Sequence, residues 1–161
     1  MPVLGVNLSL AEALPTPARI AALRKLWDST LPPANPECTI LTGLGALYAG
    51  FDMEQGTAGF MTGFAFPEIL RAMNNAAQAG DFARAHALYQ QYLPLLVFEQ
   101  QPGVAVRKEL YRLRDLIGSG HVRHPAAPSV SPALARALEQ QLARSLPGVD
   151  ITKPLPAGLF A

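Results

Sequence analysis

The sequence predicts an α/β protein in which a few parallel strands come first and helices follow. Three observations predict it. Short apolar runs of strand length alternate with helix-patterned segments over the first part of the chain. Helical patterning takes over after Gly63 and continues almost to the end. Hydrophobic residues make up 50% of the 161 positions and charged residues only 16%, which suits a packed core and argues against disorder.

The elements follow in order. Residues 2–6 form an apolar run too brief for a helix and predict a strand leading into Asn7 and Ser9. Residues 16–28 predict a helix: Thr16 caps it, Pro17 suits the first helical position, and Ile20, Leu23, Leu26 and Trp27 share a face. A proline-rich loop covers 31–37. A second strand spans 38–41 and ends at Thr42-Gly43. Residues 44–54 predict a helix weakened by Gly45 and Gly50. A third strand is expected at 59–62. Beyond it the pattern gives a helix at 67–79 closed by Gly80. Asp81 caps the next helix, with Phe82, Ala85, Leu88, Tyr89, Tyr92 and Leu96 as its core face and Pro94 as a kink or stop. A further helix is expected at 103–117, stopped by Gly118-Ser119-Gly120. The last starts at Ser131-Pro132 and reaches about residue 146. Residues 147–161 lack periodicity and predict a loose extended arm.

Alternating strands and helices imply parallel strands joined by crossovers. Parallel sheets are normally covered on both faces, and three such strands are too few to close. The pattern fits the C-terminal part of a TIM (β/α)8 barrel followed by a helical C-terminal extension, because a whole barrel takes about 250 residues. The expected division is 1–66 for the partial barrel, 67–146 for the helical region and 147–161 for the tail.

Composition narrows the function classes. A formal net charge of +1 supplies no basic field for nucleic acid or an anionic membrane. The lone Cys38 has no internal disulfide partner, which points to a reducing cytoplasm. Residues 1–10 carry no positive n-region, so no signal peptide is expected. No apolar run reaches the ~18 residues of a membrane span.

Several segments then resemble one family. Gly5-Val6-Asn7-Leu8-Ser9 is similar to its sixth-strand motif of glycine, a β-branched residue, lysine, any residue, and serine or threonine. Thr39-Ile40-Leu41-Thr42-Gly43 resembles its seventh strand, and 56–65 its eighth. Ala79-Gly80-Asp81-Phe82-Ala83-Arg84-Ala85 resembles a helix junction of the family. Lys108 with Leu110, and Val122-Arg123-His124-Pro125, resemble its late lysine-containing helix and arginine-proline turn. In this order and spacing, covering about residues 3–146, they resemble the C-terminal half of the dihydrodipicolinate synthase / N-acetylneuraminate lyase family. Met61-Thr62-Gly63-Phe64 with Pro67-Glu68 is closest in character to members that process 2-oxo sugar acids.

The resemblance implies a chemistry. The family joins a lysine amine to the 2-oxo group of pyruvate or a 3-deoxy-2-oxo sugar acid as an imine, which serves as electron sink for carbon–carbon or carbon–oxygen lyase steps without a cofactor. Only a primary amine forms that link. Asn7 stands at the lysine position, and an amide nitrogen is not nucleophilic. Gly43 and Met61 match positions that line the substrate pocket largely through backbone groups. The family's proton-shuttling tyrosine and its main carboxylate-binding loop lie on earlier strands. The expectation is a lyase-family chain that is truncated and inactive alone. The alternative is a non-catalytic fragment or pseudoenzyme subunit that associates with an intact member. Exposed strand edges favour homo-oligomers or pairing with another barrel half.

Other residues receive plainer readings. His121 and His124 lack the further ligands a structural metal site gathers. His86 lies mid-helix and reads as surface or interface, and Cys38 as buried and inert. Gly43-Leu44-Gly45 lacks the full phosphate-loop fingerprint and reads as a strand-to-helix turn. Tyr48, Tyr89, Tyr92 and Tyr111 read as packing residues. Arg107, Lys108, Arg112 and Arg114 read as a solvated face interrupted by Glu109 and Asp115.

Overall fold

The computed structural model describes residues 5–7, 39–100, 103–123 and 129–160. The expected helix at 16–28, the loop at 31–37, Cys38, and His124-Pro125 lie outside the described residues. Strands β1 (Gly5–Asn7), β2 (Thr39–Thr42) and β3 (Gly59–Phe60) form one parallel sheet in that spatial order. Gly5 pairs with Thr39, Val6 with Ile40 and Asn7 with Leu41, while Leu41 pairs with Gly59 and Thr42 with Phe60. The third strand is shorter than the sequence suggests. The Met61 N–H still bonds the neighbouring strand, and beyond it the backbone turns to side-chain partners.

The α-helices among the described residues are α1 (Ala49–Glu54), α2 (Pro67–Gln78), α3 (Phe82–Phe98), α4 (Val104–Leu113) and α5 (Pro132–Ser145). Local chemistry sets their ends. Pro67 opens α2, and Gly80 ends that region at φ +78°, where a Cβ is disfavoured. The Asp81 carboxylate accepts the Arg84 N–H at 2.9 Å, capping α3. Ser131 accepts the Leu134 N–H at 3.2 Å at the head of α5, with Pro132 in the first turn.

The core lies mainly among the helices. Ile69, Leu70 and Met73 of α2 meet Leu88, Tyr92 and Leu96 of α3, and this pair packs most extensively of all the elements. Leu138 of α5, which also packs on α3, joins this core. From the strand region, Ala46, Ala49 and Met53 reach this cluster. Helix α1 approaches α3 closely at Gly50, where an added Cβ would stand 2.6 Å from Tyr89 Cδ1.

Several expectations are corrected. The helix expected at 44–54 is a 3-10 turn at Leu44–Ala46 followed by α1. Leu44, Gly45 and Ala46 have φ of 47°, 65° and 64°, which breaks right-handed continuity. Helix α3 runs through Pro94, so the proline does not stop it. The proline is exposed, as is Gln90, whose carbonyl loses its helical donor. Phe82 stays partly exposed, and Leu95 takes a core position instead. Helix α4 stops at Leu113, because Asp115 turns left-handed at φ 57° before the glycines are reached. The segment 147–160 is no loose arm. Leu155 is buried, Val149, Ile151, Leu159 and Phe160 pack on the core, and Arg84 donates to the Phe160 carbonyl. The basic stretch is not a uniformly solvated face. Arg114 is buried and pairs with Glu68 at 2.5 Å, and Arg112 pairs with Glu109. Tyr48 is exposed, unlike the other three tyrosines.

Candidate active site at the strand ends

In parallel α/β architectures, chemistry gathers where the strands end at their carboxyl sides. The three residues singled out in the sequence all fall on that edge. Asn7 is the last residue of β1 and pairs in register with Leu41. Gly43 follows the end of β2, and Met61 follows the end of β3. Thr42 and Phe60 are register partners, so Gly43 and Met61 are level, and the Met61 N–H donates to the Thr42 carbonyl at 2.7 Å. The backbone thus brings Asn7, Gly43 and Met61 to neighbouring strands on one edge. Met61 is 46% exposed there.

The turn after Gly43 is unusual. Three successive residues take left-handed conformations, and two of them, Leu44 and Ala46, carry a Cβ. Such residues cost roughly 1–2 kcal/mol each and persist only when surroundings enforce them. The Ala46 N–H bonds the Gly43 carbonyl at 2.9 Å, closing the turn, and Ala46 is buried. Gln100 lies over Gly45, where a side chain would collide with its amide group.

Buried polar groups support both loops from behind. The Thr42 hydroxyl donates to Asp52 of α1, and both residues are buried. Burial pushes the Asp52 carboxyl up to about 6, and the Thr42 hydrogen bond pulls against it. Beyond β3, the Phe64 N–H bonds the Thr62 hydroxyl at 3.1 Å, and the Tyr111 hydroxyl donates to the Gly63 carbonyl at 2.8 Å. The Ala65 N–H donates to Glu99 Oε1 at 3.0 Å, and Arg114 donates to the Ala65 carbonyl. Glu99 is fully buried, with Arg107 Nε 3.5 Å from its other oxygen. Burial pushes its carboxyl up to about 7 despite the Ala65 N–H and Arg107. Tyr111 is also pushed up, first by burial and then by Glu99.

Of the plainer readings, His86 sits 2.8 Å from Glu54 and edge-on to Phe51 and Tyr89, at the surface between α1 and α3. Tyr89 donates to the Leu47 carbonyl at 2.5 Å, so it anchors the segment between the 3-10 turn and α1. Gly43-Leu44-Gly45 is a strand-to-helix turn. The sequence reading missed Asp52 and Glu99. Each had a signal: Asp52 shares helical spacing with Ala49 and Met53, and Glu99 stands three and four residues beyond Leu96 and Leu95. Both are acids on apolar faces.

No family model matches the chain. A curated L-2-keto-3-deoxyarabonate dehydratase from Azospirillum brasilense is 36% identical over 101 residues, covering 58% of this chain and 32% of the relative. Among solved structures, a dihydrodipicolinate synthase from Rhodopseudomonas palustris aligns with a TM-score of 0.73 at 34% identity, covering 83% of this chain and 44% of the other. The chain therefore spans between about a third and a half of the length of the proteins it resembles.

Proposed function

The chain belongs to the dihydrodipicolinate synthase / N-acetylneuraminate lyase family, part of whose length it spans, and from that membership we propose that it is the C-terminal portion of a Schiff-base 2-oxo acid lyase barrel. Residues up to 66 supply three barrel strands, and the helical extension begins at 67. The substrate class of the intact enzyme is pyruvate or a 3-deoxy-2-oxo sugar acid. The dehydratase relative supports the second, since its substrate is by name a 2-keto-3-deoxy sugar acid. A cytoplasmic location belongs to the same proposal. Among the described residues, no helix is long and apolar enough to cross a membrane.

The observation that carries the proposal is the common edge: Asn7 ends β1 beside the strand that presents Gly43, and Met61 stands level with Gly43. In this reading Gly43 and Met61 line the pocket, and Asn7 occupies the place of the imine-forming lysine. Alone, the chain binds at most part of a 2-oxo acid and does not perform the covalent step, because an amide nitrogen does not add to a ketone as an amine does. Borohydride reduction in the presence of pyruvate, read by intact mass and peptide mapping, tests it. The expected result is no pyruvyl adduct on the natural chain and an adduct at position 7 in Asn7→Lys when an amino-terminal barrel half is supplied. A reduced adduct on the natural chain would overturn the claim.

A second reading has one observation in its favour. Leu44, Tyr48 and Phe51 are 46%, 43% and 48% exposed within one short stretch beside the strand ends. Such a surface suits association with another barrel half or a family member. Sedimentation decides it, and a monomer at all concentrations rejects it.

A further inference from the structure

We infer that Glu99 and Tyr111 are positioning residues for the strand-end segment 61–65, fixing its backbone from the helical side. This rests on reading the segment as part of a 2-oxo acid site. Segment 61–65 has no regular secondary structure, so its peptide groups must find partners elsewhere. One comes from the sheet: the Met61 N–H bonds the Thr42 carbonyl. One is internal, from the Phe64 N–H to Thr62. The others come from the helical region. Tyr111 of α4 donates to the Gly63 carbonyl, Arg114 donates to the Ala65 carbonyl, and Glu99 at the end of α3 accepts the Ala65 N–H.

Arg107 completes the arrangement. It lies against Gly63, where an added Cβ would be 3.3 Å from its Cδ, and it is held by Glu99 and by Gln100, whose Oε1 it reaches at 3.4 Å. Gln100 in turn lies over Gly45 in the other strand-end loop. One buried carboxylate thereby holds the segment 61–65 directly and sits beside the Arg107 that reaches Gln100. Simple packing does not require this. An apolar side chain of similar volume fills a buried site at no desolvation cost, so a carboxyl there calls for a role beyond packing, and its bond to the Ala65 N–H supplies one. The groups facing Glu99 are Arg107 and Tyr111, both from α4, and the Ala65 amide.

The test uses the full chain labelled with nitrogen-15. Glu99→Ala removes both contacts, while Glu99→Gln keeps an oxygen for the Ala65 N–H. Exchange of the Ala65 amide is expected to speed up by about tenfold or more in Glu99→Ala and to recover largely in Glu99→Gln, with Leu88 and Leu138 amides changing by less than about threefold. In the natural chain the Ala65 amide shift is expected to titrate between about pH 5 and pH 9, and this titration is absent in Glu99→Gln. Unchanged Ala65 exchange in Glu99→Ala, or a titration that persists in Glu99→Gln, overturns the inference. If Glu99→Ala fails to fold, Tyr111→Phe decides through the Phe64 amide nitrogen, which shifts if the Gly63 carbonyl loses its donor; an unmoved resonance overturns the inference. Added pyruvate separates this from the site reading. Shifts at Gly43 and Met61 that weaken in Glu99→Ala support positioning, and shifts that persist unchanged overturn it. No shift in the natural chain sinks the site reading, while the exchange result still decides the clamp.

Discussion

The helical region and the strand ends are held by different forces. Between α2, α3 and α5 the contacts are almost wholly apolar: Ile69, Met73, Leu88, Tyr92, Leu96 and Leu138 are fully or almost fully buried. At the strand ends, Ile40 is the buried hydrophobic side chain among those described in the strands, and the loops beyond them rest on Thr42, Asp52, Glu99, Tyr111 and Arg114. Apolar contacts are non-directional and roughly additive with area. Hydrogen bonds to buried carboxyls contribute less net stability but fix position and angle. The region that resembles a substrate site therefore has its backbone fixed largely by polar contacts, while Ala46, Phe64 and Ala65 join it to the core of the helices. It borrows stability from the helices.

The largest effect tests that dependence. Tyr92 is fully buried in α3, edge-on to Phe160 and touching the core that both regions share. Tyr92→Ala is expected to cost about 3–5 kcal/mol, as for other large buried aromatic side chains. Urea unfolding followed by amide signals of Gly59 and Leu88 is expected to show one transition shifted for both. If the Gly59 signal keeps its own midpoint, the strand ends are stable by themselves and the comparison breaks.

A smaller effect probes the seam. Gly50 lets α1 lie against α3, with Tyr89 Cδ1 only 2.6 Å and His86 Nδ1 3.1 Å from where a Cβ would stand. Intrinsic propensity favours alanine over glycine in a helix by about 1 kcal/mol. Overpacking costs roughly 1–3 kcal/mol. Gly50→Ala is therefore expected to destabilise by about 1 kcal/mol net. Thermal melting settles the sign, and a stabilised variant would mean that the seam is loose.

How much of this was legible follows from where each signal lives. The caps at Asp81 and Ser131 were readable because a cap is a local contract between a side chain and a nearby N–H. The common edge of Asn7, Gly43 and Met61 was readable because strand ends and parallel order together place it. Gly50 was visible only as a helix weakness, since its reason is Tyr89, far along the chain. The left-handed Leu44 and Ala46 carried no local signal, because neither residue type prefers that conformation and the surrounding packing imposes it. Arg114 looked like one cation in a basic stretch. Its burial depends on Glu68, the Ala65 carbonyl and the face of Phe66, 4.8 Å away. The segment after residue 146 packs through Val149, Ile151 and Leu155, whose irregular spacing matches no helix or strand period.

The last effect isolates one polar contact and carries a pH signature. Asp52 is raised from 3.8 to about 6 in the folded chain, so the folded state holds its proton more tightly than the unfolded state. The stabilisation from that group is complete below about 3.8 and is lost as pH rises through 6. Glu99 follows the same sign, from 4.5 to about 7. Glu68 runs the other way: it is lowered, with Arg114 as its partner, and its contribution is lost as pH falls below 4.5. Stability is therefore expected to be greatest near pH 4 and to decline by on the order of 2 kcal/mol by pH 8, allowing for relaxation around the two buried acids. Thr42→Val removes the hydroxyl that donates to Asp52. At pH 8 this leaves the buried carboxylate without that donor and costs about 1–2 kcal/mol, whereas at pH 4 the neutral acid loses less than half as much. Urea titrations of both chains at the two pH values give the difference directly. A penalty that is equal at pH 4 and pH 8 would show that Asp52 is not ionised beside Thr42, and that the strand end is held there by packing, as the helices are.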